Sequence, residues 1–417
     1  MRNVSRVAVC RSISTADKCT LVGIKETLAF THANNRRRAW GLYKAGKRTG
    51  VNLTLSLPAL AAYFCCMNAT DDRDRLYGLM ALSTDRFVPY ADYRLSAQEV
   101  YLRFTRAFIA HHKSLDIICM ASIYGAPSGS SRPSWVPDWQ KRYPQVIPSM
   151  VSQSSRTQIG NLRTPTALEV DPSFYWSASN NAPAVFSFEG SGLFARGVVV
   201  DEVDGLAGPK HFKMVQSSKW SPLGSSHSVS STKDLLMSVC RSLVRDRGDR
   251  YLRYPMPSAD FFRDFIALLG RTMTKSCSST PKELQEWFEW TRSFRIHAHS
   301  FESTLRDSPS GDVDPLDAAP NEDEYYHDTF FGRFFDTVVR LSLRLMVSRN
   351  GCTGMAAEKA MKGDLVCVLF GCSVPVLLRK SDDKDSFKLI GECFLDGYMD
   401  GSALQWSELP EREFLIL

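Results

Sequence analysis

The chain has 417 residues, beyond the ~250 to 300 at which one hydrophobic core usually stops growing, so at least two domains are expected. Hydrophobic residues make up 44% and charged residues 23%, an ordinary balance for a water-soluble protein that can bury a sizeable core. The net charge of +6 is uneven: residues 1–50 carry 11 Lys and Arg against Asp17 and Glu26, and the rest of the chain is slightly acidic.

No run of ~18 apolar residues occurs, so no membrane partner is expected. Eleven cysteines, an odd number without a C-x-x-C pair, read as reduced thiols and favour a cytoplasmic setting over a nuclear or mitochondrial one. The first residues hold too short an apolar stretch for a secretory signal, and an irregular arm is preferred to a transit peptide. Neither His111-His112 nor His297-x-His299 has a second ligand pair at metal-binding spacing, so no metal is expected.

In chain order, residues 1–54 read as a basic arm. Arg36-Arg37-Arg38 and Lys44, Lys47, Arg48 are two cationic clusters that would attract phosphates, but no nucleic-acid fold motif accompanies them, and nucleic acid is not the expected partner. Gly41 to Lys47 narrowly misses a phosphate-binding loop, since Arg48 stands where a magnesium-binding hydroxyl belongs. With no dinucleotide fingerprint either, no cofactor is expected.

Leu55 to Met67 suits a buried helix, and Asp71 to Leu82 (DDRDRLYGLMAL) suits another, with Asp71, Asp72 and Asp74 at its positive end and Leu76, Leu79 and Met80 on one face. Ser96 and Glu99 form a capping box that opens a helix burying Val100, Phe104, Ala107 and Phe108. Leu115 to Met120 is a strand or a helix; periodicity does not decide. Ser134 to Trp139 is expected to be extended, held by Pro133 and Pro137, with Trp135 and Trp139 as apolar anchors.

Residues 141–184 form a Ser- and Pro-rich insertion, and Val185 to Leu206 reads as a hairpin turning at Gly190-Ser191-Gly192. Three helices follow, over Lys233–Arg247, Ala259–Thr274 and Pro281–Ile296, the last capped by Thr280 and Glu283 with Trp287, Trp290, Thr291 and Phe294 on a packing face. Glu302 to Asp328, with nine acids against Arg306, reads as an acidic loop, and Tyr325 to Leu345 as a strongly apolar helix. Arg344 to Leu417 is punctuated by Gly, Pro and Asp into short strands. The fold class expected is therefore α+β, a mostly helical body with short β-hairpins and a small carboxyl-terminal β-barrel or curled antiparallel sheet. The corresponding segments are 1–54, 55–140, 141–184, 185–347 with its acidic loop 302–328, and 344–417.

Four segments in this order resemble the fungal heterokaryon-incompatibility family: Ala69 to Ser83 with Val88 to Ile118, Arg132 to Trp139, Leu193 to Leu206, and Arg344 to Leu404. The residues that carry the resemblance are Asp71, Arg73, Asp74, Tyr77, Trp135, Pro137, Asp138, Trp139, Gly363, Asp364, Gly371, Pro375, Arg379, Gly391, Glu392, Gly397 and Gly401. The amino-terminal signature blocks of the family are not found, so the chain is expected to be a truncated paralogue or partial gene product lacking the effector core. The resemblance implies non-self recognition after hyphal fusion, coupled to regulated cell death, exerted through contact with another protein and without enzymatic machinery. Against it stand two readings from other classes: a hydrolase-like enzyme using Asp72, Asp74, Trp135 and Asp138 as a carboxylate and indole cleft, and a nucleic-acid binder using the basic arm. The glycines of the carboxyl-terminal block are expected to serve turns and close packing.

Overall fold

The computed structural model describes residues 56–123 except 66–67, 84, 86 and 88–89, then 132–140, 149–153, 156, 159, 176–207 except 181, 231–247, 258–274, 280–307 except 298, and 329–417 except 382–384 and 406–408. The basic arm, most of the 141–184 insertion and residues 308–328 lie outside the described residues. Two compact units divide at residues 170 and 171.

The first unit is helical. Helix α1 (Leu57–Tyr63) starts where Ser56 accepts from the Ala59 amide and Pro58 occupies the first turn. Helix α2 (Asp74–Tyr77) is one turn long, shorter than the amphipathic pattern predicts. Asp71 is the physical reason, because it binds the side chain and amide of Arg73 and does not act as a helix cap. Leu76 is buried, whereas Leu79 and Met80 lie half-buried on a following turn. Helix α3 (Ala97–His112) carries the expected capping box at Ser96 and Glu99 and buries Val100, Phe104 and Phe108, while Ala107 is half-buried. The 115–120 ambiguity resolves to helix α4 (Asp116–Ile123), buried almost throughout.

The second unit is a sheet beside a helical layer. Strand β1 (Phe186–Glu189) turns at Gly190 (φ +54°) into β2 (Gly192–Leu206), as the hairpin pattern requires. The helical layer comprises α5 (Thr232–Val244), α6 (Ser258–Thr274), α7 (Lys282–Thr291), α8 (Phe301–Arg306) and α9 (Phe330–Phe334), with a two-stranded ribbon of β3 (Arg295–Ile296) and β4 (His299–Ser300). Three expectations are corrected. Pro281, not Thr280, precedes the first turn of α7 and makes no side-chain cap. Residues 302–306, expected in an acidic loop, belong to α8 because Ser300 caps it and Phe301 and Leu305 are buried. The apolar helix near 330 is α-helical for five residues and then widens to π-helix over Phe335–Arg340. Edge-to-face contacts join the layer: Phe265 to Phe330 at 5.4 Å, and Trp287 to both Phe301 at 5.6 Å and Phe334 at 5.3 Å.

The remaining strands are β5 (Arg344–Ser348), β6 (Thr353–Ala356), β7 (Leu365–Leu369), β8 (Val376–Lys380), β9 (Ser386–Glu392), β10 (Phe394–Leu395) and β11 (Glu411–Ile416). Sequence reading confines the barrel or curled sheet to 344–417, but its organising strand is β2. Gly197 and Val198 pair with β11 on one edge and β7 on the other. The pairings then run from β11 to β9, β8, β7 and back to β2, a ring of five strands in which only β11 and β9 are parallel. Beyond a bulge at Val203 and Gly205, β2 pairs with β5, which extends the sheet to β6 and β10. Val198, Val200, Val203 and Leu206 join Met346, Val366, Val368, Leu377 and Leu395 in one core. A strand paired on both edges and covered on both faces explains why VVVDEVDGL lacks the polar alternation of a half-exposed strand.

Candidate functional site

The acidic run opening α2 is locked by arginine and tyrosine. Asp71 accepts from Arg73 Nε at 2.9 Å and Nη2 at 2.6 Å. The same guanidinium donates from Nη1 to the carbonyls of Tyr93 and Leu95 and lies 5.2 Å from the Tyr93 ring. Tyr93 in turn donates to Asp74 Oδ1 at 2.5 Å, and its ring meets that of Tyr77 edge-on at 5.4 Å. Residues 71–77 and 92–95 are thus clasped together. The Arg73 hydrogen bonds hold Asp71 below the usual carboxylate range, and the hydrogen bond to Asp74 with partial burial pushes the Tyr93 phenol up to about 12. Neither group is poised as a general base near neutral pH.

Asp72 faces the other way. Its carboxylate pairs with Arg75 at 3.2 Å and accepts from Gln140 Nε2 at 3.0 Å, while its carbonyl accepts from the Tyr101 hydroxyl at 2.7 Å. The Gln140 amide donates to Asp138 Oδ1 at 3.1 Å, and Asp138 is ion-paired with Arg132 at 2.7 Å. Residues 133–136 form a turn closed by the Val136 amide on the Pro133 carbonyl, not the expected extended segment. That turn buries Pro137 and seals Trp135 (0% exposed) and Trp139 (2%). Asp72 and Asp138 therefore meet through Gln140, Asp74 is committed to Tyr93, and both indoles are buried. A cavity of about 40 Å³ does lie nearby, walled by Leu76, Tyr77, Tyr90, Leu95, Val100 and Phe104 with Asp92 and Arg103 at its edge. Tyr90 on its rim is 96% exposed.

The carboxyl-terminal motif residues brace the ring. Asp364 takes both Nε (2.7 Å) and Nη2 (2.8 Å) of Arg379 and the Met361 amide (2.8 Å). Gly363 supplies the left-handed turn (φ +93°) before it and donates its amide to the Val203 carbonyl. Gly371 (φ +85°) has no room for a side chain, because Ala184 lies against it. Gly391 pairs with Leu377 beside a β-bulge, Glu392 lies opposite Val376, and the Pro375 carbonyl accepts from Cys393. Gly397 and Gly401 occupy the turns after β10.

The more capacious concavity was not legible as a site. About 160 Å³ opens between α7 and the π-helical turn, lined by Lys282, Glu283, Glu286, Trp287, Trp290, Val338, Val339, Ser342 and Leu343. Sequence periodicity placed Trp287, Trp290, Thr291 and Phe294 together on a packing face. Trp287, Thr291 and Phe294 are buried, but Trp290 is half-exposed and contributes to the groove wall. The floor is aromatic and aliphatic and the rim is charged, a surface suited to an apolar anchor from another chain. Among the described residues no three His, Cys, Asp or Glu side chains gather as a metal ion would need, and no helix is long and apolar enough to cross a membrane.

Residues 259–416 match the family described as the Het-6 beta-barrel domain. The matched stretch spans the groove and every strand of the ring except β2. No curated protein and no solved structure matches the chain.

Proposed function

We propose that this chain takes part in fungal heterokaryon incompatibility, the non-self recognition that follows hyphal fusion and ends in regulated cell death, and that it does so in the cytoplasm by binding another protein. The similarity of residues 259–416 to the Het-6 beta-barrel domain supports the process. The observation that carries the contact mechanism is the groove beside Trp290, whose apolar floor and Lys282, Glu283 and Glu286 rim lie within that region. The arginine and tyrosine partners of Asp71, Asp72, Asp74 and Asp138 favour a bracing role for these acids over a chemical one.

The test is expression of the full chain in a fungal host, alone and in strains fused with incompatible testers. Expression alone should leave cells viable, and incompatibility on fusion should be lost in Trp290→Glu at unchanged protein level. A Trp290→Glu strain as incompatible as wild type removes the groove from the mechanism. Death on expression alone that requires the Asp72 or Asp138 carboxylate overturns the contact reading in favour of an enzyme.

A further inference from the structure

Deep in the second unit, several buried arginine side chains gather around Glu392 and Asp336. The chain leaves α5 through two successive left-handed residues, Arg245 (φ +53°) and Asp246 (φ +50°), which bring Arg245 and Arg247 inward. Arg245, Arg247 and Arg333 are 1, 2 and 2% exposed. They share one electrostatic neighbourhood with Glu392 at the end of β9 and Asp336 in the π-helical turn. Glu392 lies 3.8 Å from Arg245 Nη1, and Asp336 lies 3.3 Å from Arg333 but is also held at 2.6 Å by Arg340. Four guanidinium groups thus share two carboxylates among the described residues.

The hydrogen-bond inventory matches that imbalance. Arg245 Nε and Nη1 and Arg247 Nε and Nη2 are buried and find no acceptor. A buried guanidinium with unmet donors is heavily penalised, because desolvation removes its water and nothing replaces it. Burial pushes Arg245 down to about 10 against only partial compensation by Glu392, and pushes Arg247 well below the usual arginine range with Arg245 and Arg333 adding repulsion.

We propose that Arg245 and Arg247, backed by Arg333, form an internal binding site for a phosphate-type tetrahedral oxyanion. The Nε and Nη2 of Arg247 form a planar guanidinium fork whose paired N–H donors match the spacing of two oxygens on such an anion, which a lysine cluster does not. A dianion would offset the charges of Arg245 and Arg247 and accept from the Nε and Nη2 of Arg247 and from one unmet donor of Arg245. Glu392 limits the site's affinity by competing for Arg245. The chemistry is shared by free phosphate and by a phosphate group carried on a nucleotide or polyphosphate.

The experiment uses the full chain. Purified protein is acid-denatured and the released phosphate and nucleotide are quantified, and thermal unfolding is followed with inorganic phosphate, ADP or tripolyphosphate at matched ionic strength, with chloride as the reference. Wild type should either release near-stoichiometric phosphate-bearing anion or show a raised unfolding midpoint with one arm, and the arm that acts identifies the source. Arg247→Met should weaken that response by roughly 10- to 100-fold in apparent Kd. Glu392→Gln, which leaves all arginines in place and removes a competing carboxylate, should strengthen it, so the proposal stays testable where the methionine variant fails to fold. No released anion and no response to any arm overturns the proposal. So does a response that is the same in wild type and Glu392→Gln.

Discussion

Replacing Asp364 by alanine removes three acceptor contacts at once from a residue that is 2% exposed. Two come from one face of Arg379, at 2.7 and 2.8 Å, and the third from the Met361 amide at 2.8 Å. A charge-assisted hydrogen-bonded pair contributes about 1.5 to 3 kcal/mol, and an orphaned buried donor costs about 1 to 3 kcal/mol. Arg379 is 30% exposed and keeps its bond to the Lys359 carbonyl, so water recovers part of its share. The expected loss for Asp364→Ala is therefore about 3 kcal/mol. Asp364→Asn preserves an acceptor for the Met361 amide and should lose about half of that. Because the chain has two units, the assay is amide hydrogen exchange under native conditions, read in peptides covering β7 and β8 so that the ring is scored by itself. In a double-mutant cycle, Asp364→Ala and Arg379→Met should couple by about 1.5 kcal/mol. A loss below about 1 kcal/mol for Asp364→Ala, or coupling below about 0.5 kcal/mol, would refute the reasoning that this pair pins the turn into β7.

Two glycines should respond in opposite directions. At Gly354 a Cβ would collide with the Phe394 carbonyl and come within 2.8 Å of Met346, so Gly354→Ala should destabilise by about 1 to 3 kcal/mol and speed exchange at residues 394–395. At Gly270, inside α6, a Cβ meets nothing within 4 Å, and Gly270→Ala should stabilise by about 1 kcal/mol, as measured by urea unfolding. His112 predicts a pH dependence. Burial among Phe87, Phe108 and His111 pushes it down to about 4, below the unfolded value near 6.5. Folding therefore favours the neutral ring: its contribution is complete above pH 6.5 and falls as pH drops toward 4, where the unfolded chain takes up a proton that the native state refuses. With solvent screening of this half-buried ring allowed for, the loss should be on the order of 1 kcal/mol. His112→Gln should flatten stability over that window, and an unchanged slope would remove His112 as its source.

The features legible in the sequence are those set by neighbours along the chain. The Ser96 and Glu99 capping box, the Gly190 turn and the Gly363 turn each depend on a few consecutive residues, and each stands where the pattern placed it. The indoles of Trp135 and Trp139 are buried anchors, since little else satisfies two large apolar groups at that spacing. Local pattern failed where a polar side chain had two local choices. Asp71 could have begun a long helix but binds Arg73, two residues on, and the helix shrinks to Asp74–Tyr77. Trp290 shares the periodicity of Trp287 and Phe294, and only the approach of Val338 and Val339 from another element makes it a groove residue.

By itself the sequence determined the hairpin of β1 and β2, the Gly190 and Gly363 turns and the resemblance carried by residues such as Asp364, Arg379 and Gly371. What it did not contain was the identity of the strand they assemble around. β2 ends at Leu206, and its partners β5, β7 and β11 begin at Arg344, Leu365 and Glu411. Those pairings are backbone hydrogen bonds, which any residue except proline can make, so their choice leaves little mark on residue type. The tertiary structure decided them by enclosing the valine-rich strand on both edges and both faces, and it also brought Arg245, Arg247, Arg333 and Glu392 from three distant stretches into one buried charge cluster.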